Sequence, residues 1–349
     1  MLSGLFPNFR TDLVVDLGTD VTRIGLPGEG IVLEEPTLAA VDQATRQVLA
    51  DGCALGHLAQ HMVGRTSDAI QIVEPLRAGV VADYLVCETM LRHFFAKARP
   101  TGRWGKPRVL VTIPGDITPV ERRAVLNSTF RAGARQVLLL SKLKAAALGA
   151  GLPIAEPVAN MVCSVGAGST EIGVLSLANV VSAQSIRIAG REMDQAVVDY
   201  LRRHFSLRVS RQNAERLRIE IGSARPLDEE QVRQVRGSDH VSGLPREALV
   251  ASEQVREALE EPLDKIVDAV RLTLDRLEPE LAADLMDQGA VLCGGGALLP
   301  GLDRLIAERT GLPVRIAEDP ATAVTRGALI CLEHLDRWQS LLEPPQNLG

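Results

Sequence analysis

The sequence predicts an α/β chain of two lobes built on one plan, and three observations carry that prediction. The chain runs to 349 residues, beyond the roughly 250–300 at which a single hydrophobic core stops growing. It contains an internal echo: residues 12–26 (DLVVDLGTDVTRIGL) align without gaps on residues 160–174 (NMVCSVGAGSTEIGV), so that Leu17-Gly18 falls on Val165-Gly166, Thr22 on Thr170, and Ile24-Gly25 on Ile172-Gly173. After each copy, apolar runs of strand length alternate with longer runs of helical period, as in mixed α/β folds.

Each echoed segment is an apolar strand, a turn of small and hydroxyl residues, and a second strand, which is the pattern of a β-hairpin. Residues 108–114 (RVLVTIP) are a continuous apolar run closed by proline, hence a buried strand, and residues 119–132 with Glu121, Arg122 and Arg123 on one face are helical. Residues 136–140 form another strand, and the Ala-rich run 142–149 opens a helix. In the second half Val255, Leu259, Leu263, Ile266, Val270 and Leu274 recur at three- and four-residue spacing, which predicts an amphipathic helix over 252–277. Residues 290–293 are a strand, Gly294-Gly295-Gly296 a turn, and 298–310 a helix. Such a turn lets a phosphate or ribose approach backbone N–H groups; it equally serves to pack a helix tightly on a sheet, and both readings stand at this point. The tail, residues 338–349 with Pro344-Pro345, reads as frayed.

Composition removes several function classes. The chain is 46% hydrophobic and 23% charged, a globular composition, with net charge −6. That charge argues against a general binder of nucleic-acid backbones, and only 3% aromatic residues leaves little for base stacking. No apolar run is long enough to span a bilayer, and residues 1–10 lack the basic and long apolar regions of a secretory signal. Cys53, Cys87, Cys163, Cys293 and Cys331 are odd in number and widely spaced, which fits a reducing cytoplasm better than a disulfide framework or zinc cluster.

Two Gly/Thr hairpins and a later triple-glycine turn resemble the two phosphate loops and the adenosine loop of the actin/Hsp70/sugar-kinase superfamily. Within it the chain resembles the MreB family of bacterial actin homologues, through Asp16-Leu17-Gly18-Thr19, residues 30–36, 64–66, 75–83 and 120–124, the run 145–153, residues 214–224, Gly294-Gly295-Gly296-Ala297-Leu298-Leu299, and Glu318-Asp319-Pro320 before an Ala-Val-Thr-Arg-Gly run. The match extends over roughly residues 10–335. It implies an actin-like two-lobed fold, duplicated ribonuclease-H-like domains around a nucleotide cleft. Lobe I would take residues 1–144 and 318–349, with a small insertion at about 33–65. Lobe II would take 145–317, with an insertion at about 182–245.

Carried over residue by residue, the resemblance implies ATP contacts from Gly18, Thr19, Asp20 and Val21 in the first phosphate loop and from Ala167, Gly168 and Ser169 in the second. Glu215, Arg216, Leu217 and Arg218 would flank ribose and base, and Gly295, Gly296, Ala297 and Leu298 would line the adenosine. Without the resemblance, Glu215 and Arg218 read simply as an i, i+3 surface ion pair. Asp16 would be the remaining metal-side carboxylate.

The departures from the family pattern fall where catalysis would occur. The family has an Asp opening the second phosphate loop, and this chain has Ser164; it has a hydrolytic Glu where this chain has Ser141, followed by Lys142-Leu143-Lys144. Mg²⁺ favours hard oxygen ligands and waters oriented by carboxylates, and a serine neither supplies that charge nor orients an attacking water well. Asp20-Val21 replaces Ala-Asn, setting a carboxylate beside the phosphates. The expectation is weakened ATP binding, poorly supported Mg²⁺, and weak or lost hydrolysis, with no residue assigned as catalytic. Lys142 or Lys144 would be a source of compensating positive charge.

Met1, Leu2, Leu5, Phe6 and Phe9 fall at near-helical spacing, and Trp104 lies between Arg103 and Lys106. Each segment reads either as a peripheral contact with the inner face of the membrane or as cover for a local patch. The functional expectation is a cell-shape protein at the cytoplasmic face of the membrane, self-associating or joining another actin homologue and shape-complex proteins in filaments. The alternatives are a non-polymerising regulator of another actin homologue and an ATP-dependent phosphotransferase.

Overall fold

In the computed structural model, which describes residues 12–98 and 105–344, both echoed segments are hairpins that begin a five-stranded sheet. The chain divides into two compact units. One ends at Leu152 and resumes at Thr322; the other spans Pro153–Ala321. The change of unit thus falls a few residues beyond the expected position 145, because the helix that contains it stays whole in the first unit.

The first unit opens with β1 (Asp12–Leu17), β2 (Val21–Leu26) and β3 (Gly30–Pro36). An insertion follows: β4 (Ala39–Asp42), α1 (Leu49–Gly52), α2 (His57–Met62) and β5 (Ile70–Val73), with β4 and β5 paired antiparallel. Its own small core is Ala40, Ala54 and Ala59, so it occupies residues 39–73 against an expected 33–65. Buried Glu35 ties it down: its carboxylate accepts from the His57 N–H at 2.9 Å and from Lys97. Burial alone would raise that carboxyl, but the Lys97 and His57 contacts hold it below its ordinary value.

Two short strands, β6 (Leu76–Arg77) and β7 (Val80–Val81), lead to α3 (Tyr84–Ala98), β8 (Arg108–Ile113), α4 (Pro119–Arg131), β9 (Gln136–Ser141) and α5 (Lys142–Gly149). The sheet order is β3-β2-β1-β8-β9, antiparallel across the hairpins and parallel from β1 to β9. Continuous apolar runs are what central parallel strands need: Leu13, Val14 and Val15, and Val109, Leu110 and Val111, are all fully buried. Helix α4 starts where Thr118 and Glu121 form a reciprocal capping box with Pro119 at the first helical position.

The second unit repeats the plan: β10 (Asn160–Val165), β11 (Thr170–Ser176), β12 (Asn179–Ile186), then β16 (Ala290–Cys293) and β17 (Val314–Ile316), in the order β12-β11-β10-β16-β17. The register repeats as well. Val14 faces Gly25 as Val162 faces Gly173, and Leu17 faces Thr22 as Val165 faces Thr170. Between β12 and β16 lie α6 (Gly190–Phe205), β13 (Leu207–Arg208), α7 (Arg211–Ile221), β14 (Val232–Asp239), β15 (Pro245–Ala251), α8 (Ser252–Leu274) and α9 (Pro279–Gln288), with β13-β14-β15 a small antiparallel sheet. α10 (Leu302–Thr310) precedes β17. The chain then returns to the first unit as α11 (Ala323–Glu333) and α12 (Leu335–Trp338).

Three expectations need correction. The amphipathic helix ends at Leu274, not 277, and the helix placed from 298 begins at Leu302. Residues 295–298 form a 3-10 turn instead, because Pro300-Gly301, with Gly301 in the left-handed region (φ 78°), starts the helix afresh. The tail is ordered through Glu343. Trp338 and Leu341 are buried, the Glu343 N–H donates to the Leu139 carbonyl at 2.9 Å, and Glu343 pairs with Arg122 at 2.8 Å. The sequence holds no local sign of this docking, whose partners are Leu139 of β9, Arg122 of α4 and Lys144 of α5.

Burial also sets thiol reactivity. Desolvation pushes Cys87 and Cys163 up to about 12 and Cys331 to about 11, Cys293 is buried, and Cys53 is exposed. A disulfide-exchange reagent at pH 8 is therefore expected to titrate one thiol quickly in the native protein and five after denaturation. Rapid release of two or more native equivalents would contradict the buried placement.

Candidate functional site

In the first unit the phosphate-loop candidates lie in the turn from β1 to β2. Gly18 belongs there because a Cβ would stand 2.2 Å from the Val21 carbonyl oxygen. The turn is clamped by Thr37: its N–H donates to the Asp20 carbonyl at 2.8 Å, its hydroxyl donates to the Gly18 carbonyl at 2.8 Å, and Thr22 meets that hydroxyl at 2.9 Å. The buried Thr19 hydroxyl accepts from the Gly79 N–H at 2.9 Å. Asp20 and Val21 are half-buried.

Asp16, at the end of β1, is 6% exposed and surrounded. Thr112 donates to its Oδ1 at 2.7 Å, Thr325 to its Oδ2 at 3.3 Å, and the Lys142 Nζ lies 3.7 Å from Oδ1. The same ammonium donates to the Leu17 carbonyl at 2.8 Å, the residue immediately before Gly18. Lys142 is the first residue of α5, and its side chain is only 14% exposed. Lys144, the other candidate for compensating charge, turns away and donates to the Leu341 carbonyl at 3.3 Å. Ser141 is the buried N-cap residue of α5, yet its side chain makes no cap hydrogen bond.

This donor set does not suit a divalent cation. Mg²⁺ at such a site relies on carboxylates and on the waters they orient, and here the one carboxylate already holds two hydroxyl donors and an ammonium. Among the described residues no group of three or more His, Cys, Asp or Glu side chains is placed to hold a metal ion.

In the second unit three predicted segments and the N-terminus of α6 lie close together. The loop after β10 is closed by the Gly166 N–H on the Ser169 carbonyl at 3.0 Å. The N-terminus of α6 meets the same loop, Gly190 N–H donating to the Gly166 carbonyl at 3.1 Å and Arg191 N–H to the Ala167 carbonyl at 2.8 Å. Gly168 is buried, while Ala167 and Ser169 are half-buried. Arg218 Nη2 lies 3.6 Å from the Cβ position of Gly190, so α7 reaches the N-terminus of α6. The triple-glycine turn abuts β10: a Cβ on Gly294 (φ 82°) would stand 2.2 Å from the Val165 carbonyl, and one on Gly296 2.3 Å from Val165 Cγ1.

The residues carried over to α7 divide. Leu217 is core at 3% exposed, Arg216 faces solvent, and Glu215 is half-buried. Arg218 Nε pairs with Asp194 Oδ1 of α6 at 2.6 Å, their side chains only 11% and 3% exposed. It is thus a buried brace between helices as well as a candidate contact. In the 3-10 turn, Gly295 and Leu298 are exposed, and Gly296 and Ala297 are buried. At Ser164, half-buried on β10, the neighbours across the sheet are Glu171 and Cys293, where Asp16 has Arg23 and Thr112.

Thr37, Gly79, Thr112, Asp194 and Thr325 were not singled out by sequence reasoning. Gly79 and Thr325 lie inside runs that carry the family resemblance; the other three have no local signal. The segments 1–9 and Trp104 lie outside the described residues, and among the described residues no helix is long and apolar enough to cross a membrane.

Comparison with known proteins identifies the family and the fold. The model of the MreB/Mbl protein family matches residues 10–340. The cell shape-determining protein MreB of Escherichia coli K12 is 45% identical over 337 residues, covering 96% of this chain and 97% of the relative. The cell shape-determining protein Mbl of Bacillus subtilis 168 is 40% identical over 329 residues, covering 94% and 98%. Among solved structures, MreB5 of Spiroplasma citri, determined with AMPPNP and with ADP, superposes with a TM-score of 0.89 at 34% identity, covering 96% of this chain and 99% of that one. A MamK double helical filament subunit shares the fold, with a TM-score of 0.78 at 21% identity over 93% and 99% of the two chains. The fold is actin-like, and the chain belongs to the MreB/Mbl family.

Proposed function

We propose that this chain is a cell-shape protein that forms or joins filaments at the cytoplasmic face of the membrane, binds adenine nucleotide, and hydrolyses ATP weakly or not at all. Similarity to MreB and Mbl over nearly the full chain supports the shape role. The MreB5 complexes with AMPPNP and ADP support nucleotide binding. Thr19, Asp20 and Val21 would meet the phosphates in the first unit. In the second, Ala167, Gly168 and Ser169 would do so, with Glu215 to Arg218 and Gly295 to Leu298 at the nucleoside. Residues 1–9 and Trp104 would make the membrane contact.

The observation that carries the hydrolysis reading is Ser141. It lies at the root of α5 with no capping hydrogen bond. With the family's hydrolytic Glu aligned on this position, as the resemblance implies, a hydroxyl would replace the water-orienting carboxylate, and general-base help worth about 10²–10⁴ in rate would be missing. Electron microscopy of the purified protein with ATP and lipid vesicles, paired with phosphate-release kinetics, tests the proposal. Filaments on vesicles with phosphate release near background are expected. Rapid ATP turnover abolished by Asp16→Ala would overturn the hydrolysis reading. Filaments only in the presence of a second actin-like protein would make this chain a co-assembling or regulatory subunit.

A further inference from the structure

We propose that Lys142 is the resident cation of the first phosphate loop, so that this chain binds the polyphosphate of its nucleotide free of divalent metal. The inference rests on the nucleotide reading above and specifies the chemical form of the ligand that the site accepts.

Position carries most of the argument. The Lys142 ammonium is fixed at two points, 2.8 Å from the Leu17 carbonyl oxygen and 3.7 Å from Asp16 Oδ1. Leu17 is the last residue before the Gly18 turn, so the charge stands at the root of the loop. Its backbone is equally constrained. Lys142 begins α5, and α5 crosses α11 so closely that a Cβ on Gly149 would lie 1.9 Å from the Ala323 carbonyl oxygen. A lysine so mounted is a positioned point charge with three N–H donors, of which the Leu17 carbonyl takes one.

The space beside it is kept open. Gly79 has φ 76°, and a Cβ there would lie 3.3 Å from the Lys142 Nζ and 3.1 Å from Pro114 Cγ. Any larger residue would crowd the ammonium. The Gly79 N–H meanwhile holds the Thr19 hydroxyl at 2.9 Å, which sets the loop wall next to the charge.

Charge accounting completes the case. Asp16 and Lys142 together are neutral, and both are largely buried. A dication entering here would meet a carboxylate already paired and an ammonium it repels. A bare polyphosphate instead meets a cation already in place, and charge-assisted contacts of this kind are stronger than neutral ones.

Calorimetric titration of the full-length protein with AMPPNP, in excess EDTA and in excess Mg²⁺, reads the proposal directly. The affinity is expected to agree within about twofold between the two buffers, and Lys142→Met to weaken it in EDTA by about tenfold or more, the scale of a lost hydrogen bond to a charged group. Lys142→Arg keeps the charge and should recover part of that loss. If Lys142→Met does not melt cooperatively, the wild-type comparison and Lys142→Arg decide. Wild-type affinity rising tenfold or more on adding Mg²⁺, or Lys142→Met binding as tightly as wild type, would overturn the role of Lys142 while leaving nucleotide binding intact. No heat of binding in either buffer would instead remove the nucleotide reading, and this inference with it.

Discussion

Gly327→Ala is expected to destabilise the first unit by about 3 kcal/mol, the upper end of ordinary overpacking. At an exposed position inside a helix the same change usually stabilises by about 1 kcal/mol, because alanine is the better helix former. Here the sign reverses. A Cβ on Gly327 of α11 would stand 1.8 Å from the Ala145 carbonyl oxygen and 2.6 Å from the Gly149 nitrogen, both backbone atoms of α5. No rotamer change relieves a backbone contact, so the helices must separate. Separation costs buried contact along Ala145, Ala146, Leu148, Ala328 and Leu329, and also the Arg326 Nη2 bond to the Gly149 carbonyl at 3.2 Å. Urea denaturation of wild type and variant measures it, and an unchanged or raised midpoint would contradict the crossing.

The same crossing holds the candidate site. α5 brings Lys142 to Asp16 from one side, and α11 brings Thr325 to it from the other. Prying the helices apart therefore moves the ammonium and a hydroxyl away from one carboxylate, and nucleotide affinity should fall in parallel with stability. Fold and site share one structural joint.

How far the sequence revealed this depends on how local each signal is. The two hairpins were legible because strand, turn and strand lie within fifteen consecutive residues, and positions matched by the gapless echo hold equivalent places in the two sheets. The strands and helices from 108 to 149 were legible for the same reason: alternating apolar runs with proline and capping punctuation. The α5–α11 crossing was not, because Gly149 and Gly327 lie far apart in the chain and neither has a signature by itself. The docked tail was missed likewise, since Leu342 pairs with Leu140 and Glu343 with Arg122, partners that no local window contains. At the site, the serines at 141 and 164 could be set by position against the carboxylates that the family resemblance implies. Choosing between Lys142 and Lys144 could not, because the two differ by about half a turn of α5 and only the fold shows which one faces Asp16.

Asp194→Ala is expected to cost the second unit about 3–5 kcal/mol, the usual penalty for leaving one member of a buried ion pair without the other. Asp194 is 2% exposed, and Arg218 Nε meets it at 2.6 Å from the neighbouring helix. Removing the carboxylate strands a guanidinium that cannot lose its charge, 3.6 Å from where a Cβ on Gly190 would stand, the residue whose N–H closes the candidate 166–169 loop on the Gly166 carbonyl. Loop geometry should loosen together with stability, so nucleotide affinity is expected to drop even at temperatures where the variant stays folded. The double variant Asp194→Leu/Arg218→Met separates the two effects. Replacing both charges by apolar groups should recover most of the stability, and the coupling energy from the four-protein cycle should be large for residues in direct contact. If Arg218 also touches the nucleotide, the double variant folds well and still binds poorly. If Arg218 only braces α6 against α7, affinity returns along with stability, and the two outcomes are read in one pair of titrations.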